Sequence, residues 1–236
     1  MPDPQTQQAA KLAAAKAALQ FVQPGMIVGL GSGSTASLFI ELLGERVQQG
    51  LQIQGIASSD ASEELARKLG IPITDFDHQP SIDVAIDGAD EVAPGLALIK
   101  GGGGKLLREK IVASACKRFI IVVDSSKLVK ELGAFPLPVE VIPMAVPLVI
   151  PRLRELGFTP KIRPAKSGEG HYITDEGNLL LDCTSSGIAD PEQTAAEIRS
   201  IVGVVEHGLF LDMAERVVVA YADGSVKDYT VETLPV

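Results

Sequence analysis

The sequence is poor in several residue types that mark particular classes of protein. Tryptophan is absent, aromatic residues make up 4%, and there are only two cysteines and three histidines. Surfaces that bind nucleic acids combine a basic stripe with interleaved aromatic side chains. This chain has few aromatics and a net charge of −9, so we exclude a nucleic-acid partner. A local group of Lys side chains and backbone N–H groups can still hold a small anion.

Long apolar runs and cysteine motifs are missing as well. No apolar run reaches the roughly 18–20 residues that a membrane span needs, and the N-terminus lacks the features of a secretory signal. Cys116 and Cys183 form neither a CxxC motif nor a metal-ligand spacing. The three histidines share no spacing with each other. We therefore expect a cytoplasmic protein with no membrane partner, no disulfide framework and no metal site.

The order of predicted elements changes once along the chain. Strands alternate with helices in the first part, which implies crossover units and a parallel sheet. From about residue 133 the order becomes β-α-β-β-α-β, the ferredoxin-like pattern. A closing hairpin over residues 215–231 is expected to return to the first unit. We therefore predict an α/β unit of residues 1–132 plus 208–236 and an inserted α+β lobe of residues 133–207.

The first unusual loop is Gly31-Ser32-Gly33-Ser34-Thr35, which follows a short apolar strand. Ligands of open α/β sheets bind outside the carboxyl ends of the strands. Glycines let the backbone approach an anion, and hydroxyls and helix N–H groups donate to it. The stretch up to Ala36 also fits a dinucleotide fingerprint, G-x-G-x-x-A, but Ala57-Ser58-Ser59 offers no acidic ribose anchor after the next strand. Phosphate binding is favoured over a dinucleotide and over a turn without a ligand.

The second loop is Asp87-Gly88-Ala89-Asp90-Glu91, which follows a predicted buried strand. A tight turn there can bring Asp87 and Asp90 together, and two close carboxylates raise each other's proton affinity. Such a pair offers a proton donor beside a base. A solvated acidic turn, or aspartates that cap a helix, explains the same spacing equally well, so both interpretations stay open.

The third loop is Lys100-Gly101-Gly102-Gly103-Gly104, which precedes a helix containing Glu109. A nucleotide P-loop needs Gly and Ser or Thr where this chain has Ile99 and Leu106, so that function is excluded. A bare helix N-terminus that can hold negative charge remains. Each glycine has an entropic cost, which makes the run hard to explain by stability. For Glu109 alone, the spacing favours an ion pair with Lys105 at i, i+4.

A fourth loop, Asp124-Ser125-Ser126-Lys127, follows the next predicted strand. Lys127 can place a cation beside the same edge of the sheet. From its spacing alone, a simple turn is the favoured interpretation.

Together these loops resemble those of the ribose-5-phosphate isomerase A family. The resemblance covers essentially the whole chain and is based on "GLGSGSTA", "SSDAS", "DGADE", "IKGGGGKLLREKI", "VDSSK" and "FPLPVEVIPMA", in that order. It implies a Rossmann-like domain with a ferredoxin-like lobe. It also implies interconversion of ribose 5-phosphate and ribulose 5-phosphate without a cofactor, in the pentose phosphate pathway or a photosynthetic carbon cycle. A homodimer or homotetramer is implied by resemblance only.

The resemblance also assigns roles to residues. Glu109 matches the family's catalytic base, Asp87 and Lys100 would assist ring opening, and Asp90 would hold substrate hydroxyls or the intermediate. Lys127 matches a phosphate partner, and Lys11 a further phosphate contact on the first helix. The full set expected to bind substrate is Lys11, Ser32, Gly33, Ser34, Thr35, Asp87, Gly88, Ala89, Asp90, Lys100, Gly101, Gly102, Gly103 and Lys127.

The sequence departs from the family pattern at two positions, and two other functions remain as alternatives. Ser32 replaces a common Thr and keeps the hydroxyl, whereas Lys105 adds a charge near the expected site. A non-catalytic sugar-phosphate sensor of the same fold is the main alternative, although the presence of Glu109, Asp87 and Lys100 argues against it. An NAD-dependent dehydrogenase is a further alternative, which predicts binding of the nicotinamide cofactor.

Overall fold

The computed structural model describes residues 4–234 of the chain, which contain six α-helices. Four of them alternate with strands in the first half of the chain, and two lie in the second half. The helices are α1 Pro4–Ala18, α2 Ser34–Gln48, α3 Asp60–Lys68, α4 Leu106–Ala115, α5 Val146–Glu155 and α6 Pro191–Arg199. The strands are β1 Ile27–Leu30, β2 Gln54–Ala57, β3 Val84–Asp87, β4 Glu91–Ala93, β5 Ala97–Ile99, β6 Phe119–Asp124, β7 Leu137–Val141, β8 Thr159–Ile162, β9 Leu179–Thr184, β10 Val204–His207, β11 Leu209–Phe210, β12 Arg216–Ala220 and β13 Val226–Tyr229.

Local sequence explains where several helices begin. Alanine has the highest helix propensity, and α1 is rich in it. The Ser59 hydroxyl accepts a hydrogen bond from Ser62 N at 3.1 Å and caps α3. Asp190 caps α6 by accepting from Gln193 N at 2.9 Å, and Pro191 occupies the first helical turn, where its missing N–H costs nothing.

The large sheet has six strands in the order β13-β12-β6-β3-β1-β2. Every pairing in it is parallel except that of β12 with β13. Strand β6 is buried along its whole length, as expected for a parallel strand covered on both faces. One apolar cluster includes Phe39 of α2 and Ala66 of α3, and a second includes Val112 of α4. The sheet is therefore enclosed between two layers of helices.

A second sheet of four antiparallel strands, in the order β10-β7-β9-β8, forms a separate lobe with α5 and α6. It has its own apolar cluster, which includes Val149 of α5 and Ile198 of α6. The predicted fold class, an α/β domain with a mostly parallel sheet and an antiparallel α+β lobe, is confirmed. The boundaries at residues 133 and 207 stay a prediction.

A three-stranded sheet, in the order β11-β5-β4, was not predicted. The apolar pattern of residues 204–210 predicts one strand, but the structure divides it into β10 and β11, which belong to different sheets. Gly208 lies at this division, and a Cβ there would lie 2.3 Å from the Lys100 carbonyl oxygen. Only glycine allows this approach, and the small sheet fixes the backbone that leads from β5 into Lys100.

The order of the large sheet places a crevice beside β1. This strand lies between β2 and β3. The chain passes from β1 to β2 on one side and then crosses to β3 on the other side. The loops after β1 and β3 therefore border the switch point where α/β proteins bind ligands. Within residues 4–234, none of the helices has the length and apolar character that crossing a bilayer requires.

Candidate active site

A cleft opens at the carboxyl ends of β1 and β3, and the predicted site residues converge on it. With its open mouth it has a volume of about 550 Å³, within the range of small-molecule sites. Asp87 lies behind the cleft wall, in contact with Lys100. The residues that line the cleft are Lys11, Ser32, Gly33, Ser34, Thr35, Gly88, Ala89, Asp90, Lys100, Gly101, Gly102, Gly103, Glu109 and Lys127.

Three charged side chains meet at the closed end of the cleft. The Lys100 Nζ lies 2.9 Å from Asp87 Oδ2 and 3.4 Å from Glu109 Oε2. It also donates to the Gly88 carbonyl oxygen at 2.5 Å. Lys100, Asp87 and Glu109 are only 2%, 3% and 5% exposed. Charges this deeply buried persist only when paired, so we treat the three as one unit, the buried triad.

Two close backbone approaches hold Asp87 in the buried triad. Its Oδ1 accepts from Ser32 N at 2.9 Å and from Gly88 N at 2.7 Å. A Cβ at Gly31 would lie 2.3 Å from the Asp87 carboxyl carbon, so only glycine fits there. Asp87 is thus a buried, oriented carboxylate, and the interpretation of it as a solvated turn residue is wrong.

Burial and charge affect the pKa values of Glu109 and Lys100 differently. Burial dominates for Glu109. It raises the pKa of Glu109 to about 7, although the Lys100 charge pulls in the opposite direction and the Asp87 and Asp90 charges add to the rise. Burial lowers the pKa of Lys100, but attraction to Asp87 and Glu109 outweighs this effect and keeps the pKa above its ordinary value. At neutral pH a charged ammonium therefore faces a carboxyl group that can give or accept a proton.

One oxygen of Glu109 is left without a hydrogen bond. Among the described residues, its buried Oε2 has no hydrogen-bond partner, and 3.4 Å from Lys100 Nζ is an ion-pair distance with poor hydrogen-bond geometry. Sequence spacing favoured an ion pair of Glu109 with Lys105, and that interpretation is wrong. Lys105 is the N-cap residue of α4 and pairs with Asp175 of the lobe, outside the cleft lining.

The glycine loop, residues 101–104, lies between Lys100 and α4 and lines the cleft with backbone. Gly102 N donates to Asp90 Oδ2 at 2.7 Å, and a Cβ at Gly102 would lie 2.5 Å from Asp90 Oδ1. Gly101 has φ +98, in the left-handed region that favours glycine. Asp87 and Asp90 are therefore held by different donors: Asp87 faces Lys100 and Asp90 faces the glycine loop.

The open end of the cleft is suited to an anion. Helix α2 begins at Ser34 after Gly33, which has φ +89, and its first N–H groups and dipole favour negative charge. Lys11 Nζ donates to Ser34 Oγ at 3.1 Å. Lys127 lines the same cleft from a short 3₁₀ turn after β6. The fourth loop is therefore both a turn and the source of a cation.

Two contacts of the site were missed in the sequence. Arg163 of the lobe donates to the carbonyl oxygens of Gly101 and Gly102 at 3.1 and 3.0 Å. The Ser58 hydroxyl lies 2.9 Å from that of Ser32. The strand-end rule could have identified Ser58, because it follows β2 directly. No local signal marked Arg163, which is distant in sequence from the glycines. In the part of the chain that the structure describes, His, Cys, Asp and Glu side chains form no metal-binding group.

The chain is similar in sequence to known proteins. A family model described as Ribose 5-phosphate isomerase A (phosphoriboisomerase A) matches residues 54–224. The ribose-5-phosphate isomerase A of Gluconobacter oxydans is 53% identical over 217 residues, covering 91% of this chain and 94% of the relative. That of Bartonella quintana is 48% identical over 225 residues, covering 94% and 96%.

Solved structures are similar over nearly the whole chain. The ribose 5-phosphate isomerase A of Methanocaldococcus jannaschii has a TM-score of 0.91 and 44% identity, covering 95% of this chain and 99% of that one. A D-ribose-5-phosphate isomerase in complex with phospho-erythronic acid has a TM-score of 0.91 and 40% identity, covering 98% and 100%. By sequence and by structure, the chain belongs to the ribose-5-phosphate isomerase A family.

Proposed function

We propose that the protein interconverts D-ribose 5-phosphate and D-ribulose 5-phosphate without a cofactor, with Glu109 as the base. The central observation is that a buried carboxyl group with a pKa near 7 faces a buried ammonium at the closed end of a cleft. The open end of that cleft is suited to a phosphate. Family membership supports the same reaction, and a solved relative binds a phosphorylated sugar acid.

The proton transfer needs only one carboxylate. In the open-chain aldose, Glu109 removes the proton from C2 while electrons move to the carbonyl oxygen at C1, which gives an enediolate. Return of the proton to C1, with transfer of the C2 hydroxyl proton to the oxygen at C1, gives the ketose. A base works best when its pKa is near the working pH. We assign this step to the Oε2 of Glu109, which has no hydrogen-bond partner among the described residues.

The enediolate places negative charge on a sugar oxygen, which must be stabilised in the transition state. Lys100, Gly101, Gly102 and Gly103 line the cleft together with Glu109. The Gly102 N–H is engaged by Asp90, so we assign the Lys100 ammonium and the Gly103 N–H to the enediolate oxygen. Such donors are fixed before the reaction and need no reorganisation, which makes them more effective than water. They stabilise the charge that Glu109 creates.

Ribose 5-phosphate is mostly a closed ring, so ring opening precedes the proton transfer. Lys100 lines the cleft and Asp87 lies behind it at 2.9 Å. This pair is suited to moving a proton from the C1 hydroxyl to the ring oxygen. Asp90, which lines the cleft and is anchored by Gly102 N, is assigned to the substrate hydroxyls.

The phosphate binds at the open end, to Ser34, Thr35, Lys11 and Lys127. Its binding energy orients C1 and C2 against Glu109, although the phosphate takes no part in the bond changes. The cleft thus separates the group that anchors the substrate from the groups that react with it.

Assembly and location are inferred from the family. We infer a homodimer or homotetramer that acts in the cytoplasm, in the non-oxidative branch of the pentose phosphate pathway. The exposed apolar side chains of Met144, Leu148 and Val202 on the lobe support an interface, since such patches mark interaction sites. Light scattering on the purified protein measures the assembly, and a monomer would contradict it.

Incubation of chelator-treated protein with ribose 5-phosphate, with ketose detection, tests the function. We expect ribulose 5-phosphate to form at an undiminished rate after chelation. Binding of the sugar phosphate without turnover would favour the sensor function instead. Neither binding nor turnover would contradict both.

A further inference from the structure

Arg163 connects the lobe to the glycine loop. It follows β8, and its side chain is 13% exposed. Its Nε donates to Asp182 Oδ2 at 3.0 Å and its Nη2 to Asp182 Oδ1 at 2.5 Å, a bidentate pair that fixes the guanidinium plane. Its Nη1 donates to the carbonyl oxygens of Gly101 and Gly102 at 3.1 and 3.0 Å. One side chain thus holds two consecutive peptide groups.

Fixing a carbonyl also fixes the next N–H group. A trans peptide is planar, and its C=O and N–H point in opposite directions. The peptide between Gly101 and Gly102 follows this rule, since its oxygen faces Arg163 while its N–H donates to Asp90 in the cleft lining. The next peptide has its oxygen on Arg163 too, which directs the N–H of Gly103 away from Arg163, to the side where Asp90 lies.

The loop needs such a restraint because glycine restricts its backbone very little. Four consecutive glycines can rotate their peptide groups, and a rotated group would present a carbonyl oxygen to a developing negative charge. The lobe supplies a second restraint through Tyr172, whose ring packs against Gly104 where a Cβ would lie. Preorganised donors stabilise transition-state charge only when they already point at it.

We propose that Arg163 is a positioning residue that keeps the Gly103 N–H directed into the cleft, toward the oxygen that bears the enediolate charge, while the Gly102 N–H holds Asp90. The inference depends on the proposed isomerase function and extends it. Arg163 does not line the cleft and acts through the loop, so the lobe controls the stabilisation of charge without touching the substrate.

Two ligands that differ in one group test the proposal. Erythronate 4-phosphate places a carboxylate where the charge develops, whereas erythritol 4-phosphate has an alcohol there and the same phosphate. In Arg163→Met we expect kcat to fall about 10- to 100-fold. This decrease does not exceed the one caused by removing a hydrogen-bond donor that contacts the oxyanion directly. The affinity for the carboxylate should fall in parallel and that for the alcohol should not change. Arg152→Met, at an exposed ion pair of the same lobe, should change neither affinity nor kcat.

Arg163→Lys keeps the positive charge but lacks the planar guanidinium group. If Arg163 acts by orienting the glycine loop, this variant should also lose kcat and affinity for the carboxylate and keep its affinity for the alcohol. It also decides the test if the Met variant does not fold. Unchanged kcat and unchanged affinity for both ligands would overturn the proposal, as would an equal loss of affinity for both, which indicates general loosening. If the wild-type protein forms no ketose, the proposed function fails, and the two affinities still decide whether Arg163 orients the loop.

Discussion

The two ends of the cleft handle charge in opposite ways. At the closed end, Asp87, Lys100 and Glu109 are almost fully buried, and this burial raises the pKa of Glu109 to about 7. At the open end, Gly33 and Ser34 are exposed and Lys11 and Lys127 are half-buried. Water and salt weaken interactions between exposed charges. Substitutions at the closed end should therefore change kcat and stability, and those at the open end should change KM.

The largest effect is expected for Glu109→Gln. The amide keeps the shape of the side chain but cannot accept the proton, so kcat should fall by at least about 1,000-fold. Affinity for erythronate 4-phosphate should stay largely intact, because the phosphate contacts are at the other end. Steady-state kinetics and calorimetry measure the two quantities, and the exposed Glu64→Gln provides the control. A variant with near-normal kcat would exclude Glu109 as the base.

Lys100→Met should have the next largest effect, on stability as well as on activity. Removing one partner of a buried ion pair costs about 3–5 kcal/mol, and here two carboxylates lose their cation. The exposed pair of Lys117 with Asp83 is the matched control, because Lys117→Met should cost no more than about 1 kcal/mol. Urea denaturation compares the two. Equal losses would contradict the contrast between buried and exposed charge.

The pH dependence follows from the raised pKa of Glu109. Only the ionised carboxylate can accept the proton, so kcat/KM should fall about tenfold per unit as the pH drops below about 7. It should level off above that value, and a limb near the ordinary value of 4.5 would contradict the account.

Stability provides a second readout of the same pKa. The pKa of Glu109 in the folded protein exceeds its ordinary value of 4.5. The stability that protonated Glu109 contributes is therefore fully present below pH 4.5 and is lost as the pH rises through about 7. Glu109→Gln removes this loss, so its stability relative to wild type should be greater at pH 8 than at pH 5.5, by about 1–3 kcal/mol. A difference that does not change with pH would show that Glu109 ionises without cost.

The smallest effect is expected for Lys127→Ala at the open end. Loss of one partly solvated phosphate contact should raise KM about tenfold, by analogy with charge-assisted hydrogen bonds, and should leave kcat nearly unchanged. The rise should shrink in high salt, where such contacts are screened. The exposed neighbour Lys130→Ala is the control. An unchanged KM would remove Lys127 from the phosphate site.

The contrast between the two ends was partly predictable from the sequence. The strand-end rule and the Gly-rich loops located Thr35, Asp87 and Lys100 at one edge, because parallel strands bring their carboxyl ends together. Family resemblance added Lys11 and the roles of Glu109 and Lys127, and the cleft lining includes all three residues. Their individual roles stay predictions until the variants are measured.

Contacts between segments that are distant in sequence could not be predicted from the sequence. Helical spacing favoured Lys105 as the partner of Glu109, but Asp175 of the lobe binds Lys105, and only the fold brings Asp175 there. The pairing of β11 with β5 and the contact of Arg163 with the glycine loop likewise join segments that are distant in sequence. Local pattern determines an element, whereas these partners depend on how the elements pack.

Isomerisation in D₂O, followed by NMR, tests most directly whether one buried carboxylate moves the proton. Wild-type protein incubated with ribose 5-phosphate should form ketose and incorporate deuterium at the carbons that exchange the proton, because the proton on the Glu109 carboxyl group exchanges with solvent while the enediolate is bound. Glu109→Gln, folded and still binding erythronate 4-phosphate, should incorporate essentially none. Incorporation at a near-wild-type rate in that variant would contradict the account.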